Sequence, residues 1–191
     1  PTTRNAFDLS LEKTSESTRF GRHEFGQSLL LASRLIEAGV HFVTVRLRPA
    51  EFDFDTHLDN FSKLSALLPP FDKGLASLID RLKERGLFRS TAIMVAGEFG
   101  RTPKVNDQGG RDHWARAMFA LMAGGDVQGG QTIGETDKLA GEPVGQGYSP
   151  EDLAASFFQN IGIDPQTEFH ANVGRPVTLV RDGKPISQLF S

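Results

Sequence analysis

Two short stretches concentrate the residues that could bind a metal ion or an anionic substrate. The first is "DFDTH", residues 53–57, and the second is "GEFGRTPKVNDQGGRDHW", from Gly97 to Trp114. In the first, Asp53, Asp55 and His57 alternate with Phe54 and Thr56. Residues two apart in an extended segment share one face, so Asp55 and His57 can point together at one ion. A carboxylate beside an imidazole suits zinc, manganese or iron, and calcium if the histidine stands aside. The same spacing also describes a turn with solvated acids.

The second stretch packs three acids, two arginines, a lysine and a histidine into a glycine-rich loop after the apolar run Thr91–Ala96. Glu98 leaves that run at once, and a carboxylate there is costly unless it is paired or bound to a cation. Arg101 can be the partner of Glu98. Alternatively, Glu98 takes a metal and Arg101 forks onto a phosphate, sulfate or carboxylate. Asp112 and His113 are adjacent, so both can ligate only if the backbone turns or if two ions lie between them. Paired ions ~3.5–4 Å apart are the usual arrangement for phosphoryl chemistry. The alternative is an Asx turn at Asp112 with a surface histidine. Exposed Arg101, Arg111 and Arg116 could hold sulfated ligands. Trp114, His23, His41 and His170 read as structural.

Several chemistries have no footing. There is no cysteine, which excludes disulfides and thiolate metal sites and restricts any metal to oxygen and imidazole donors. No G-x-S-x-G elbow, Walker loop or dinucleotide fingerprint is present. Thr102 reads as the nearest hydroxyl to the candidate site, and nothing assigns it as a nucleophile.

The positioning elements follow from apolar periodicity. From Thr18 to Ala38, Phe25, Leu29, Leu30, Ala32, Leu35 and Ile36 recur at helical spacing, and Gly39 supplies the stop. "HFVTVRL" (41–47) reads as a β-branched strand. Residues 60–85 read as helical, with a break at Pro69-Pro70 and a stop at Gly86. Ala92–Ala96 and "AMFALMAGG" (117–125) read as buried strands, and residues 126–149 as turns with short strands. Ser149-Pro150 opens a helix to about Ile161, and the tail reads as a hairpin around Asp182-Gly183. Residues 1–18 read as an irregular lead-in with a short helix near Leu9. This order predicts an α/β fold with a mainly parallel sheet flanked by helices. In such sheets ligands gather at the carboxyl ends of strands, where both candidate loops fall.

Composition bounds the rest. The chain has 191 residues with 38% hydrophobic and 24% charged, which fits one domain with a sizeable core. A net charge of -3 gives no reason to expect a nucleic-acid or anionic-membrane surface. No apolar run approaches the ~18 residues of a transmembrane span. Pro1 begins no visible export signal.

The ordered motifs "FGQSLLLASRLIEAGVHFVTV", "DTHLDNF", "LLPPFDKGLASLIDRLKERGL", "GEFGRTPKVN", "GRDHW", "MAGGDVQGGQTIGETD" and "GRPV" resemble those of the bacterial proteins called domain of unknown function 1501. Those proteins are similar to the alkaline phosphatase and sulfatase superfamily. The resemblance implies an incomplete lobe of an alkaline-phosphatase-like fold, corresponding to the C-terminal portion of a longer family member. It implies divalent metal (zinc, manganese or calcium) at Asp55, His57, Glu98, Asp112 and His113, with Arg101 and Arg111 on an anion. The activity implied is hydrolysis of small or polymeric phosphate or sulfate esters, in an exported or periplasmic setting. The segment carrying that superfamily's nucleophile is not seen here. The alternative is therefore a non-catalytic binding or structural protein that holds sulfated or phosphorylated polyanions.

Overall fold

A computed structural model describes residues 3–46, 54–145, 147–170 and 174–191. Its contacts fall into two compact units: residues 1–87 with 104–112, and residues 88–103 with 113–191.

The first unit is helical: α1 (Thr3–Ala6), α2 (Thr14–Phe20), α3 (Glu24–Glu37) and α4 (Asn60–Glu84). The helix expected over Thr18–Ala38 is two helices. Gly21 at φ 92° ends α2. His23 then caps α3, its Nδ1 accepting the Gly26 N–H at 3.1 Å, which is the structural role expected of it. Gly39 (φ 85°) and Gly86 (φ 69°) fall where the helices α3 and α4 stop. The core lies between α2, α3 and α4, and Phe20, Leu29, Leu30, Leu35, Leu67, Leu78 and Leu82 are buried in it. Gly26 lets the chain approach itself closely, since a Cβ there would sit 2.0 Å from the Phe20 carbonyl oxygen.

Two expectations fail in this unit. Pro69-Pro70 does not break α4, which runs unbroken for 25 residues. Proline costs a helix interior roughly 3 kcal/mol. Residues on both sides of the pair, from Asn60 and Leu67 to Leu78 and Leu82, are buried, so packing holds the two halves together. The run 41–46 forms no strand, and Leu47 lies outside the described residues. Its residues alternate between half-buried and exposed as a strand's do, but a strand also needs a partner ladder, and no such pairing forms among the described residues.

Among the described residues, Arg81 is the largest fully buried side chain, at 1% exposure. Its guanidinium donates to Glu37 Oε1 (2.7 Å), to Glu12 Oε1 and Oε2 (3.0 and 3.2 Å) and to Glu16 Oε2 (3.0 Å). Arg34 pairs with the same Glu12.

The second unit carries β1 (Ile93–Ala96), β2 (Gly100–Arg101), β3 (His113–Trp114), β4 (Ala120–Ala123), β5 (Glu135–Thr136), β6 (Pro143–Val144), α5 (Pro150–Asn160), β7 (Glu168–His170) and β8 (Pro176–Thr178). Every sheet among the described residues is a two-stranded antiparallel pair: β1 with β4, β2 with β3, β5 with β6, β7 with β8. This overturns the mainly parallel sheet. A parallel pair needs a long crossover, usually a helix, between its strands. Here the chain between β1 and β4 holds only the short pair β2–β3 and loops, so β4 returns antiparallel with Ile93 opposite Ala123. Nor is this pair a buried centre, since Met94 and Leu121 are 42% and 43% exposed.

Helix α5 starts as expected. Ser149 Oγ accepts the Asp152 N–H, the Asp152 carboxylate accepts the Ser149 N–H, and Pro150 holds the first turn. Asp152 also accepts the Lys184 N–H at 2.8 Å, and Ser156 Oγ accepts the Ile186 N–H at 2.8 Å, so the tail is tied to this helix. No described helix is long and apolar enough to cross a membrane.

Candidate metal centre

In the first unit, the loop 104–112 is laid against residues 56–60. Arg111 N–H donates to Thr56 O (2.9 Å), Asp59 N–H to Gln108 O (3.1 Å) and Asn60 N–H to Gly109 O (3.0 Å). Leu58 and Gly109 form an antiparallel bridge. Gly110 makes the contact possible, because a Cβ there would lie 1.8 Å from the His57 carbonyl oxygen. On the other side, Thr56 is buried with its Oγ1 on Asn60 Oδ1 at 2.6 Å, and the Phe54 ring meets Phe71 of α4 edge-on.

Residues 54–57 are a tight curl rather than an extended segment. Thr56 N–H donates to Phe54 O at 3.0 Å and His57 N–H to Asp55 O at 3.1 Å. The curl nevertheless brings the two candidate ligands together: His57 Nε2 lies 3.0 Å from Asp55 Oδ1. The opposite ring nitrogen, Nδ1, lies 2.8 Å from Asp112 Oδ1, across 55 positions of sequence. Asp55 and His57 belong to a group of side chains that could hold a metal ion. The side chains of Asp55, His57 and Asp112 are 44%, 43% and 51% exposed. Polar contacts so open to water add little stability, but the same openness leaves the imidazole reachable by a solute.

Asn106 ties this cluster to its loop. Its Nδ2 donates to His57 O at 3.0 Å and to both Asp112 carboxylate oxygens at 3.2 and 3.3 Å. Its Oδ1 accepts the Gln108 and Gly110 N–H groups at 3.0 and 2.9 Å. Sequence reasoning passed over Asn106 and Gly110. Their only signal was an asparagine shortly before a Gly-Gly pair, the composition of an ordinary turn. Arg111 Nε is buried and has no hydrogen-bond partner among the described residues.

The other expected site residues lie in the second unit. Glu98 is exposed in the bend between β1 and β2. Arg101 in β2 stands opposite His113 in β3. The His113 ring packs on Phe99 with centroids 4.3 Å apart, and the Arg101 guanidinium lies over the same ring at 5.8 Å. Trp114 donates its Nε1–H to Gly141 O at 2.6 Å, the anchoring role expected of it. Arg116 lies over the Trp114 ring and pairs with Glu142.

Comparison with known proteins adds three findings. No solved structure matches the chain. An aminomethyltransferase from Streptomyces coelicolor is 30% identical over 109 residues, 54% of this chain, and the match spans only 29% of that protein's length. The family described as protein of unknown function DUF1501 matches residues 1–190, and the chain belongs to it.

Proposed function

We propose that this chain binds a divalent cation through Asp55 and His57. In this reading the cation and Arg111 together receive the oxyanion of a phosphate or sulfate ester, as the resemblance to alkaline phosphatases and sulfatases implies. Bound there, a divalent cation would neutralise charge on the anionic group and lower the pKa of a bound water.

The observation that carries the reading is the two-sided environment of His57. A metal-ligating histidine usually gives its other ring N–H to a carboxylate, which fixes the tautomer and raises the basicity of the ligating nitrogen. Asp112 stands in that place at Nδ1, and Nε2 faces Asp55 Oδ1 at 3.0 Å. Two donors bound at ~2.0–2.2 Å to one ion lie ~2.8–3.6 Å apart for octahedral to tetrahedral angles, so the observed spacing fits. Asp112, expected from sequence as a ligand, becomes the carboxylate that orients His57. Arg111 supports the anion half. A buried N–H without a partner costs roughly 1–3 kcal/mol, and an oxyanion oxygen would satisfy it. Neither Glu98 nor Arg101 is needed.

The competing account is an imidazolium held between two carboxylates with no metal. Titration calorimetry with zinc or cobalt separates the two. The metal reading expects one saturable site, lost in His57→Ala and retained but weakened in Asp112→Asn. Inorganic phosphate should then bind only the metal-loaded chain, and more weakly in Arg111→Ala. Turnover of aryl phosphate or aryl sulfate esters tests the hydrolytic half. Metal-dependent anion binding without turnover would make this a binding protein, and no saturable metal uptake by the wild type would refute the reading.

A further inference from the structure

We infer that Asn106 is a positioning residue of the metal centre: by holding the Asp112 carboxylate against His57 it sets the cation affinity of the site. The inference rests on the metal reading above and adds a residue to it.

Asn106 uses its full hydrogen-bonding capacity. An asparagine amide has two N–H donors and an oxygen with two lone pairs. Here the oxygen takes two backbone N–H groups, Gln108 and Gly110. Those donors fix which end of the amide is oxygen, so the NH2 end must face His57 O and Asp112. The Asp112 side chain is 51% exposed, and the Asn106 amide reaches both of its carboxylate oxygens. Held by Asn106 from one side, it keeps Oδ1 at 2.8 Å from His57 Nδ1. The same NH2 group grips the His57 carbonyl, so one side chain locates both the backbone of the ligand and the carboxylate that orients its ring.

The isosteric change Asn106→Asp separates this role from loop building. It keeps an oxygen for the Gln108 and Gly110 N–H groups and replaces the donor facing Asp112 by a second carboxylate oxygen. Cobalt(II) titration, followed by visible absorption and calorimetry, is run on the full chain carrying Asn106→Asp, Asp112→Asn or both changes, with melting temperatures measured in parallel. Loss of an outer partner of a metal ligand typically weakens affinity about 10–100-fold. That drop is expected for Asn106→Asp with little change in melting temperature. Because Asn106 orients the His57 ring through Asp112, the double variant should lose less cobalt affinity than the two single losses combined. A cobalt affinity in Asn106→Asp equal to wild type would overturn the inference and leave the metal reading standing. Additive losses in the double variant would overturn it too. If Asn106→Asp does not fold, Asn106→Ser, which keeps a short acceptor but does not reach Asp112, takes its place. Unfolding of both would make Asn106 a loop residue only. Failure of the wild type to take up cobalt would sink the metal reading itself, and the inference with it.

Discussion

Replacing Arg81 by methionine should be among the most damaging single changes in the helical unit, and for an electrostatic reason. The methionine keeps much of the buried stem, so the loss is the charge and its hydrogen bonds. Four contacts disappear, to Glu37, Glu16 and twice to Glu12, and these carboxylates are 17%, 24% and 12% exposed. Removing one partner of a buried ion pair usually costs about 3–5 kcal/mol because the other is stranded. Two features place this case near the lower end: Arg34 still neutralises Glu12, and water reaches Glu16 and Glu37. An expected loss of about 3 kcal/mol moves a urea midpoint by roughly 1.5 M at a slope of about 2 kcal/mol/M. The pH dependence identifies the cause. Arg81's hydrogen bond, with help from Arg34 and against the effect of burial, holds the Glu12 carboxyl below its ordinary range. A carboxyl lowered by folding stabilises the native state above its unfolded pKa, and that contribution fades as pH falls through the folded value. The gap between wild type and Arg81→Met should therefore be full at pH 7 and shrink below about pH 4, near the ordinary carboxylate value. The measurement is urea unfolding at both ends of that range. A gap that stays constant would show that the loss is one of packing, and the electrostatic argument would be wrong.

Two further changes test the packing within each unit. Asp152→Ala removes both the return bond of the α5 cap and the tether to Lys184, and should cost about 1–2 kcal/mol in thermal or urea unfolding. The bonds from the Lys184 and Ser149 N–H groups hold the Asp152 carboxyl below its ordinary range, so the penalty should be present at neutral pH and diminish as pH falls through that lowered value. Gly26→Ala drives a methyl into the Phe20 carbonyl. It should cost ~1–3 kcal/mol or more, with the melting temperature as readout, and an unchanged value would mean that the α2–α3 junction relaxes freely.

The helices were legible because their signals are local. Ser149, Pro150 and the acids of the first turn specify the start of α5 without reference to the rest of the chain. The sheet was not legible, because strand pairing depends on residues far apart. Ile93–Ala96 reads as a strand from its own composition, yet nothing in those four residues says that β4 runs antiparallel beside it. The tail is a sharper case. Asp182 does adopt the positive φ, 61°, that its hairpin signal requires. The flanks never pair there because α5 has claimed them: Ile186 N–H is bonded to Ser156, and Gly183 packs so close to Glu151 that a Cβ would lie 2.3 Å from its carbonyl oxygen. The ladder forms earlier instead, between β7 and β8. The candidate centre divides the same way. The spacing of Asp55 and His57 announced their meeting, whereas Asp112 arrives from 55 positions away through backbone contacts that no pattern in the sequence displays.

Those backbone contacts turn on Gly110, which gives a last test of the reasoning. A methyl group at Gly110 would fall 1.8 Å from the His57 carbonyl oxygen, 2.0 Å from its carbon and 2.4 Å from Leu58 N. All three atoms are backbone, so no side-chain rotation relieves the clash, and the loop must lift away from residues 57–58. Lifting it weakens the Arg111 to Thr56 bond and carries Asp112 off His57 Nδ1. Gly109 is the control. It has a positive φ of 69° but open space, with Asp59 backbone no nearer than 3.9 Å. Gly109→Ala should therefore incur only the left-handed backbone cost of roughly 1–2 kcal/mol and leave the cluster assembled. The expected pattern is cobalt uptake retained in Gly109→Ala and lost or strongly weakened in Gly110→Ala, with both proteins folded. Equal uptake in the two variants would mean that the 104–112 loop does not set the geometry of His57, and the centre would have to be explained from the 54–57 curl alone.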